Sequence, residues 1–408
     1  IDRELCSVSL RFPMRTWILS LLFLLPLAAL AQDDMSGMKS MNMSNKPKLG
    51  ATAAFDAKGR LWLVDAADDH VRLRYSDDFG KTLSAPVNVN AQAEPIYDSA
   101  ENRPKIAMGP HGEIYVTWSE PLAKKWSGFV RFARSRDGGK HFSAPITVNH
   151  DLADITHRFD ALAVDGHGRV VVAWIDKRDL EVAHAQGKPY LGAAVYYSWS
   201  NDNGVSFAPD RKLIDQSCEC CRIALARSPD GDVVAFFRSI FGDNIRDHAY
   251  GVLYTNGKAA NPERATFDQW QIAACPEHGP GLAIGADGTR HAVWYEAKDR
   301  PTIWYGQLDP GHSPKHAQVI ATLGAGHADV AVRGKTVWIV WNQVSAQGYA
   351  LMLKRSTDGG VHFDNARAIA NVAGEADSPQ WVMWKGQPYV AWNTTDGFRL
   401  ITLDSTLL

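Results

Sequence analysis

The segment Cys218-Glu-Cys-Cys-Arg222 sets three thiols almost side by side, and Cys275-Pro-Glu-His278-Gly-Pro280 adds a fourth thiol and an imidazole. Thiols in that density either pair as disulfides in an oxidising compartment or hold a metal as thiolates. Both outcomes fit the spacing. In the first, a Cys218–Cys275 bridge staples two parts of the chain, worth on the order of a few kcal/mol, and leaves Cys220 and Cys221 free or joined to each other. In the second, Cys218, Cys220, Cys221 and Cys275 form a soft-metal site, with His278, His327 and His157 as further ligands. Thiolates, imidazoles and thioethers suit Cu(I) better than hard cations, so copper is the expected metal. Met35, Met38, Met41 and Met43 supply four thioethers within nine positions of a polar stretch that has no core to fill.

A second set of residues points to anions. Arg103 lies nine residues before Gly112, Arg158 ten before Gly168, and Arg222 nine before Gly231. Three guanidiniums in equivalent places suit bidentate capture of a carboxylate or phosphate, and Arg246 in Asn244-Ile-Arg246-Asp247-His248 joins them. Each could equally be spent on backbone carbonyls or on Asp176, Asp179 or Glu120. If the chain is an enzyme, Glu296, Tyr295 and Asp247 are the candidates for proton transfer.

What positions these residues is a repeat. Seven segments run from a Gly through an alternating strand that usually ends in Trp, as in Gly112-Glu-Ile-Tyr-Val-Thr-Trp118 and Gly168-Arg-Val-Val-Val-Ala-Trp174. They recur at intervals of roughly fifty residues, the length of a four-stranded propeller blade. A short apolar strand precedes each Gly, such as Ile106-Ala-Met108. A turn recurs after the third strand: Ser76-Asp-Asp-Phe-Gly80, Ser135-Arg-Asp-Gly-Gly-Lys-His-Phe142, Ser200-Asn-Asp-Asn-Gly-Val-Ser-Phe207 and Ser356-Thr-Asp-Gly-Gly-Val-His-Phe363. Its Asp accepts backbone N–H groups, its Gly takes φ > 0, and its aromatic tucks under the sheet. The sequence thus predicts an all-β, seven-bladed β-propeller over residues 49–408, or six blades if a terminal unit is incomplete. The last unit ends after its third strand, so closure could borrow a strand from the N-terminal side. The Cys segments and Arg103, Arg158, Arg222, His157, His278 and His327 lead into first strands, which line a propeller's channel, so they should meet at one mouth, with Arg246 in the same region of unit four.

These turns resemble the Asp boxes (bacterial neuraminidase repeats) of the sialidase superfamily, over nearly all of residues 49–408. The resemblance implies the propeller fold and allows many functions. Arg103, Arg158 and Arg222 resemble the arginine triad with which sialidases hold a carboxylate, and Arg222-Ile-Ala approaches their Arg-Ile-Pro signature without its Pro. Tyr295 and Glu296 are adjacent, whereas the sialidase nucleophile and its partner come from separate strands. The Cys-x-Cys-Cys-Arg, Asn-Ile-Arg-Asp and Cys-Pro-x-x-Gly-Pro segments resemble those of an exported group of sialidase-like propellers. The Met35–Met43 pattern is similar to the thioether segments of exported copper-handling proteins.

Met14-Arg15, the apolar run Trp17–Leu25 and Ala29-Leu-Ala31 read as a secretory signal, with residues 1–13 lying upstream of a start Met. Residues 32–48 read as a disordered Met-rich tail. The expected location is periplasmic or secreted. With 43 basic and 45 acidic residues, no charge excess argues for nucleic acid. Beyond the signal, no stretch is long and apolar enough to span a membrane. The expected partners are a copper ion or a small anionic or glycan ligand, held by a monomer.

Overall fold

A computed structural model describes residues 48–404 and 407; the signal and the methionines Met35, Met38, Met41 and Met43 lie outside them. The described residues form seven antiparallel sheets, six of four strands and a last one of three. The innermost strands are Ala51–Phe55, Lys105–Met108, His157–Val164, Ala224–Arg227, Gly281–Ile284, Ala325–Arg333 and Gln380–Trp384. Each packs beside the next, and the seventh meets the first, so the ring closes as a seven-bladed propeller.

The seven glycines that open the second strands explain why these hairpins form. Gly59, Gly112, Gly168, Gly231, Gly288, Gly334 and Gly386 all sit at positive φ, which a side chain would oppose. The Trp at the far end of the second strand becomes core: Trp118, Trp174, Trp341 and Trp392 are fully buried. The Asp-box turns hold as read. In the blade-six box, the Ser356 hydroxyl donates to Asp358 at 2.7 Å and accepts from the Gly360 N–H at 2.8 Å. Gly360 also presses on the previous blade, where a Cβ would strike the Tyr305 hydroxyl. The box aromatics wedge the same way, Phe207 against Phe132 at 5.0 Å and Phe363 against Tyr305 at 4.8 Å. Local turn chemistry therefore also glues neighbouring blades.

Two features differ from the sequence reading. Closure does not borrow a strand: among the described residues, none from the N-terminal side joins the three-stranded last sheet. The first and last blades instead share a core of Ala51, Ala53, Leu61, Leu63, Val382 and Ala391. Phe55, Phe79, Trp384 and Tyr389 cluster at the same seam, with ring centres 5.3–6.0 Å apart. The all-β pattern is also interrupted by one helix, Arg178–Ala185, in a long connection of blade three. Arg178 pins it by bonding Asp176 and Asp210, each at 2.7 Å. No helix among the described residues is long and apolar enough to cross a membrane.

Candidate functional site

The inner strands enclose a cavity of about 480 Å³ with an apolar wall, including Leu162, Leu225, Leu282 and Val332, and with Glu101, Arg103, Lys105, Arg222 and Asp329 as its charged members. The segments that lead into the inner strands bring most of the candidate residues to this mouth. They arrive in two clusters.

The first cluster centres on Glu101, a residue that sequence reasoning missed. Its carboxylate is buried. It accepts from the Arg222 N–H at 3.0 Å, the Arg222 guanidinium at 2.6 Å and the Gly279 N–H at 2.7 Å. His327 Nδ1 lies 3.0 Å from Oε1, the oxygen that also takes the Arg222 guanidinium, while both backbone N–H groups bond Oε2. One side chain from blade two thus clasps segments of blades four, five and six. Burial opposes ionisation, but Arg222 and His327 outweigh it and hold the Glu101 carboxyl far below the usual range. Arg103 is likewise occupied: it forms a buried ion pair with Asp377, whose oxygens also accept from the Ala51 and Ser378 N–H groups.

Arg158 is different again. The charge of Glu277 favours its charged form, and its guanidinium lies 3.8 Å from the Tyr97 ring centre and close to Trp126 and Phe159. The arc of arginines exists, but two of its members already hold anions from the chain itself. Their partners are Asp377 and Glu101 and not the expected ones: Asp176 binds Arg178, Asp179 binds Lys212, and Glu120 faces Arg131.

Beside this cluster, Asp98 has no hydrogen-bond partner for either carboxylate oxygen. Burial, reinforced by the charge of Asp377, pushes its carboxyl up to about 7.

The second cluster is built of sulfur. Residues 218–223 pass from the outer strand of blade three, Arg211–Ser217, to the inner strand of blade four. In that crossing the Sγ atoms of Cys218, Cys220 and Cys221 all come within 4.8 Å of one another. Cys218 lies 3.8 Å from Cys220 and 3.7 Å from Cys221. All three are buried, and Cys275 packs against the same core. No disulfide is formed among these four cysteines. Of the two alternatives, the Cys218–Cys275 staple is not formed: Cys218 turns to the thiols of its own loop. An ion pair of 2.5 Å between Lys177 and Glu219 anchors the loop to blade three.

Two arginines face the sulfurs. Arg246 donates to Cys218 Sγ at 3.6 Å. Arg238, fully buried, donates to the carbonyls of Arg246, His278 and Tyr295 at 2.6–3.2 Å. Neither arginine meets a carboxylate among the described residues. Hydrogen bonds from Cys220 and Cys221, aided by both guanidiniums, hold the Cys218 thiol well below the usual cysteine range. Cys220 and Cys221 are pushed up, chiefly by the same hydrogen bonding to Cys218. Arg238 also escaped sequence reasoning. A signal was present: it stands seven residues after its strand's glycine, where other units place Ser119, Ile175 and Tyr295.

The remaining candidates scatter around these clusters. His278 stacks on Tyr295 at 4.0 Å and lies 4.4 Å from His327, bridging the two clusters. Burial, then His327, lowers its pKa to about 3, so the ring is neutral, and its Nδ1 has no partner. His157 instead bonds Asp176 at 2.8 Å and stacks on Phe129. Tyr295 and Glu296 project to opposite faces of one strand. Glu296 is tied to Trp304 at 3.0 Å and to the Lys298 N–H at 2.6 Å. Asp247 is buried against Arg264 and the Gln269 N–H.

The thiol triangle fits a soft metal. Three sulfurs bound at about 2.3 Å from one ion stand roughly 3.8–4.0 Å apart, close to the separations present here. Residues Cys218, Cys220 and Cys221 would hold the ion.

No protein-family profile matches this chain, and no curated protein matches it. Solved structures do. The polysaccharide lyase Uly1 superposes with a TM-score of 0.54 at 9% identity, covering 87% of this chain and 90% of its own. The Penicillium chrysogenum α-L-arabinanase complexed with arabinobiose gives 0.50 at 14% identity, covering 76% and 92%. The Hadza microbial sialidase Hz136 gives 0.45 at 13% identity, covering 83% and 74%. At such identities the likeness extends to the fold alone, a seven-bladed propeller.

Proposed function

We propose that this chain is an exported propeller that binds one Cu(I) ion through Cys218, Cys220 and Cys221, and serves in copper tolerance or delivery. The observation that carries the reading is the buried triangle of thiols. The charge around it supports a monovalent ion. Three thiolates around one Cu(I) leave two net negative charges, and two guanidiniums that form no close ion pair among the described residues, Arg238 and Arg246, stand beside them. A divalent ion would leave less negative charge beside the buried Arg238 and the half-buried Arg246. Met35, Met38, Met41 and Met43 would capture copper before it reaches the triangle.

The test is metal content alongside a free-thiol count on natively exported protein. About one copper, with three thiols shielded from alkylation until the metal is removed, supports the reading. Four oxidised cysteines and no metal would end it.

A second reading is a hydrolase or lyase acting on an acidic glycan. The cavity of about 480 Å³ with Arg103, Lys105 and Arg222 in its wall favours it. The pairing of Arg103 with Asp377 and of Arg222 with Glu101 leaves little free positive charge for such a substrate. Turnover of an acidic glycan that is lost in Arg222→Ala would support this second reading over the first.

A further inference from the structure

The thiol triangle is closed to solvent. Cys218, Cys220 and Cys221 are 1%, 6% and 2% exposed, so an ion arriving from outside cannot meet them directly. Cys275 breaks this seal. It is partly exposed and packs against the core cluster that holds all three buried thiols, yet it is not part of the triangle. It belongs to the segment between the outer strand of blade four and the inner strand of blade five. Cys220 is the most exposed of the three buried thiols and so the first of them an ion passed inward from Cys275 would meet.

Resting on the copper reading above, we propose that Cys275 is the gateway thiol through which a soft monovalent ion is passed to the buried triangle, and is not one of its resting ligands. Transfer proceeds by ligand exchange without electron transfer. The Cys275 sulfur loses its proton to solvent and bonds the ion as the bond to an outside donor breaks. Cys220, losing its proton in turn, then displaces Cys275, which recovers a proton. Cys218 and Cys221 complete the triangle with loss of any protons they carry. A thiol that is reachable from solvent and adjacent to one buried ligand is what such an exchange requires, because each step trades one metal–sulfur bond for another and never strips the ion bare.

The experiment follows Cu(I) transfer from its bicinchoninate complex into the reduced, metal-free full chain by the loss of the complex's colour. The wild type is expected to load one equivalent. Cys275→Ser is expected to hold the same one equivalent and shield the same three thiols, but to load at least tenfold more slowly. A second arm covers a folding defect: limited iodoacetamide on the wild type should alkylate Cys275 first and slow loading to the same degree. Equal loading rates in wild type and variant would overturn the gateway while leaving the copper site standing. Loss of the equivalent in Cys275→Ser would make Cys275 a ligand and also overturn it. A wild type that takes up no copper would overturn both the gateway and the reading on which it rests.

Discussion

Two clusters at one channel mouth handle buried charge in opposite ways. Around Glu101, carboxylate meets guanidinium, imidazole and two N–H groups, and Arg103 meets Asp377. Around Cys218, two guanidiniums meet carbonyls, an amide oxygen, sulfur and the Trp270 ring, with no close ion pair to a carboxylate among the described residues. The first arrangement is complete in itself, so it behaves as a keystone between blades. The second is complete only when something negative forms there, and a metal–thiolate group is the candidate the side chains provide. Buried charge that is satisfied marks structure, and buried charge left waiting marks a site.

Substitutions can separate the two. The largest effect is expected from Cys220→Ser combined with Cys221→Ser, which should take bound copper from about one equivalent to none by elemental analysis, with the fold retained by circular dichroism. Glu101→Gln should do the reverse. It strands Arg222 in a buried place, costing about 3 kcal/mol of stability in urea unfolding, and leaves the copper equivalent intact. Copper loss in that variant would merge the two clusters into one site.

Arg246→Gln removes one of the waiting charges. Cu(I) affinity should fall about tenfold, equal to about 1.4 kcal/mol, in a chelator competition. Unchanged affinity would mean that the guanidiniums do not serve the metal.

The smallest effect tests the exception within the first cluster, Asp98. Its carboxyl is raised from 3.8 to about 7, so between those values the folded chain keeps a proton the unfolded chain has lost. Stability from this group is therefore full below pH 3.8 and falls as pH rises towards 7. Asp98→Asn should be more stable than wild type at pH 8 and no different at pH 4, read from paired urea curves.

The fold was legible because its determinants are local and repeated. A glycine at positive φ and the alternating strand after it act within a few residues, so seven copies announce seven blades, and four Ser/Asp/Gly turns reinforce them. The thiol triangle was half legible. The crowding of Cys218, Cys220 and Cys221 is visible in the chain, but the choice between staple and cluster depends on how residues 218–223 cross between blades. The Glu101 clasp was not legible, because its partners lie 121, 178 and 226 positions away and are brought together only by ring closure. For the same reason the arginines were recognised while the carboxylates that neutralise them were not. Arg238 was hidden by a different cause: a lone charge in an apolar strand acquires meaning only once the sulfurs beside it are known.

X-ray absorption at the copper edge of the Cu(I)-loaded full chain tests the central claim most directly. Three sulfur neighbours at about 2.3 Å, the length of a metal–thiolate bond, with no nitrogen or oxygen in the shell, is the predicted spectrum. A shell dominated by nitrogen or oxygen, or one unchanged in the Cys220→Ser, Cys221→Ser variant, would contradict the thiol triangle as the copper site.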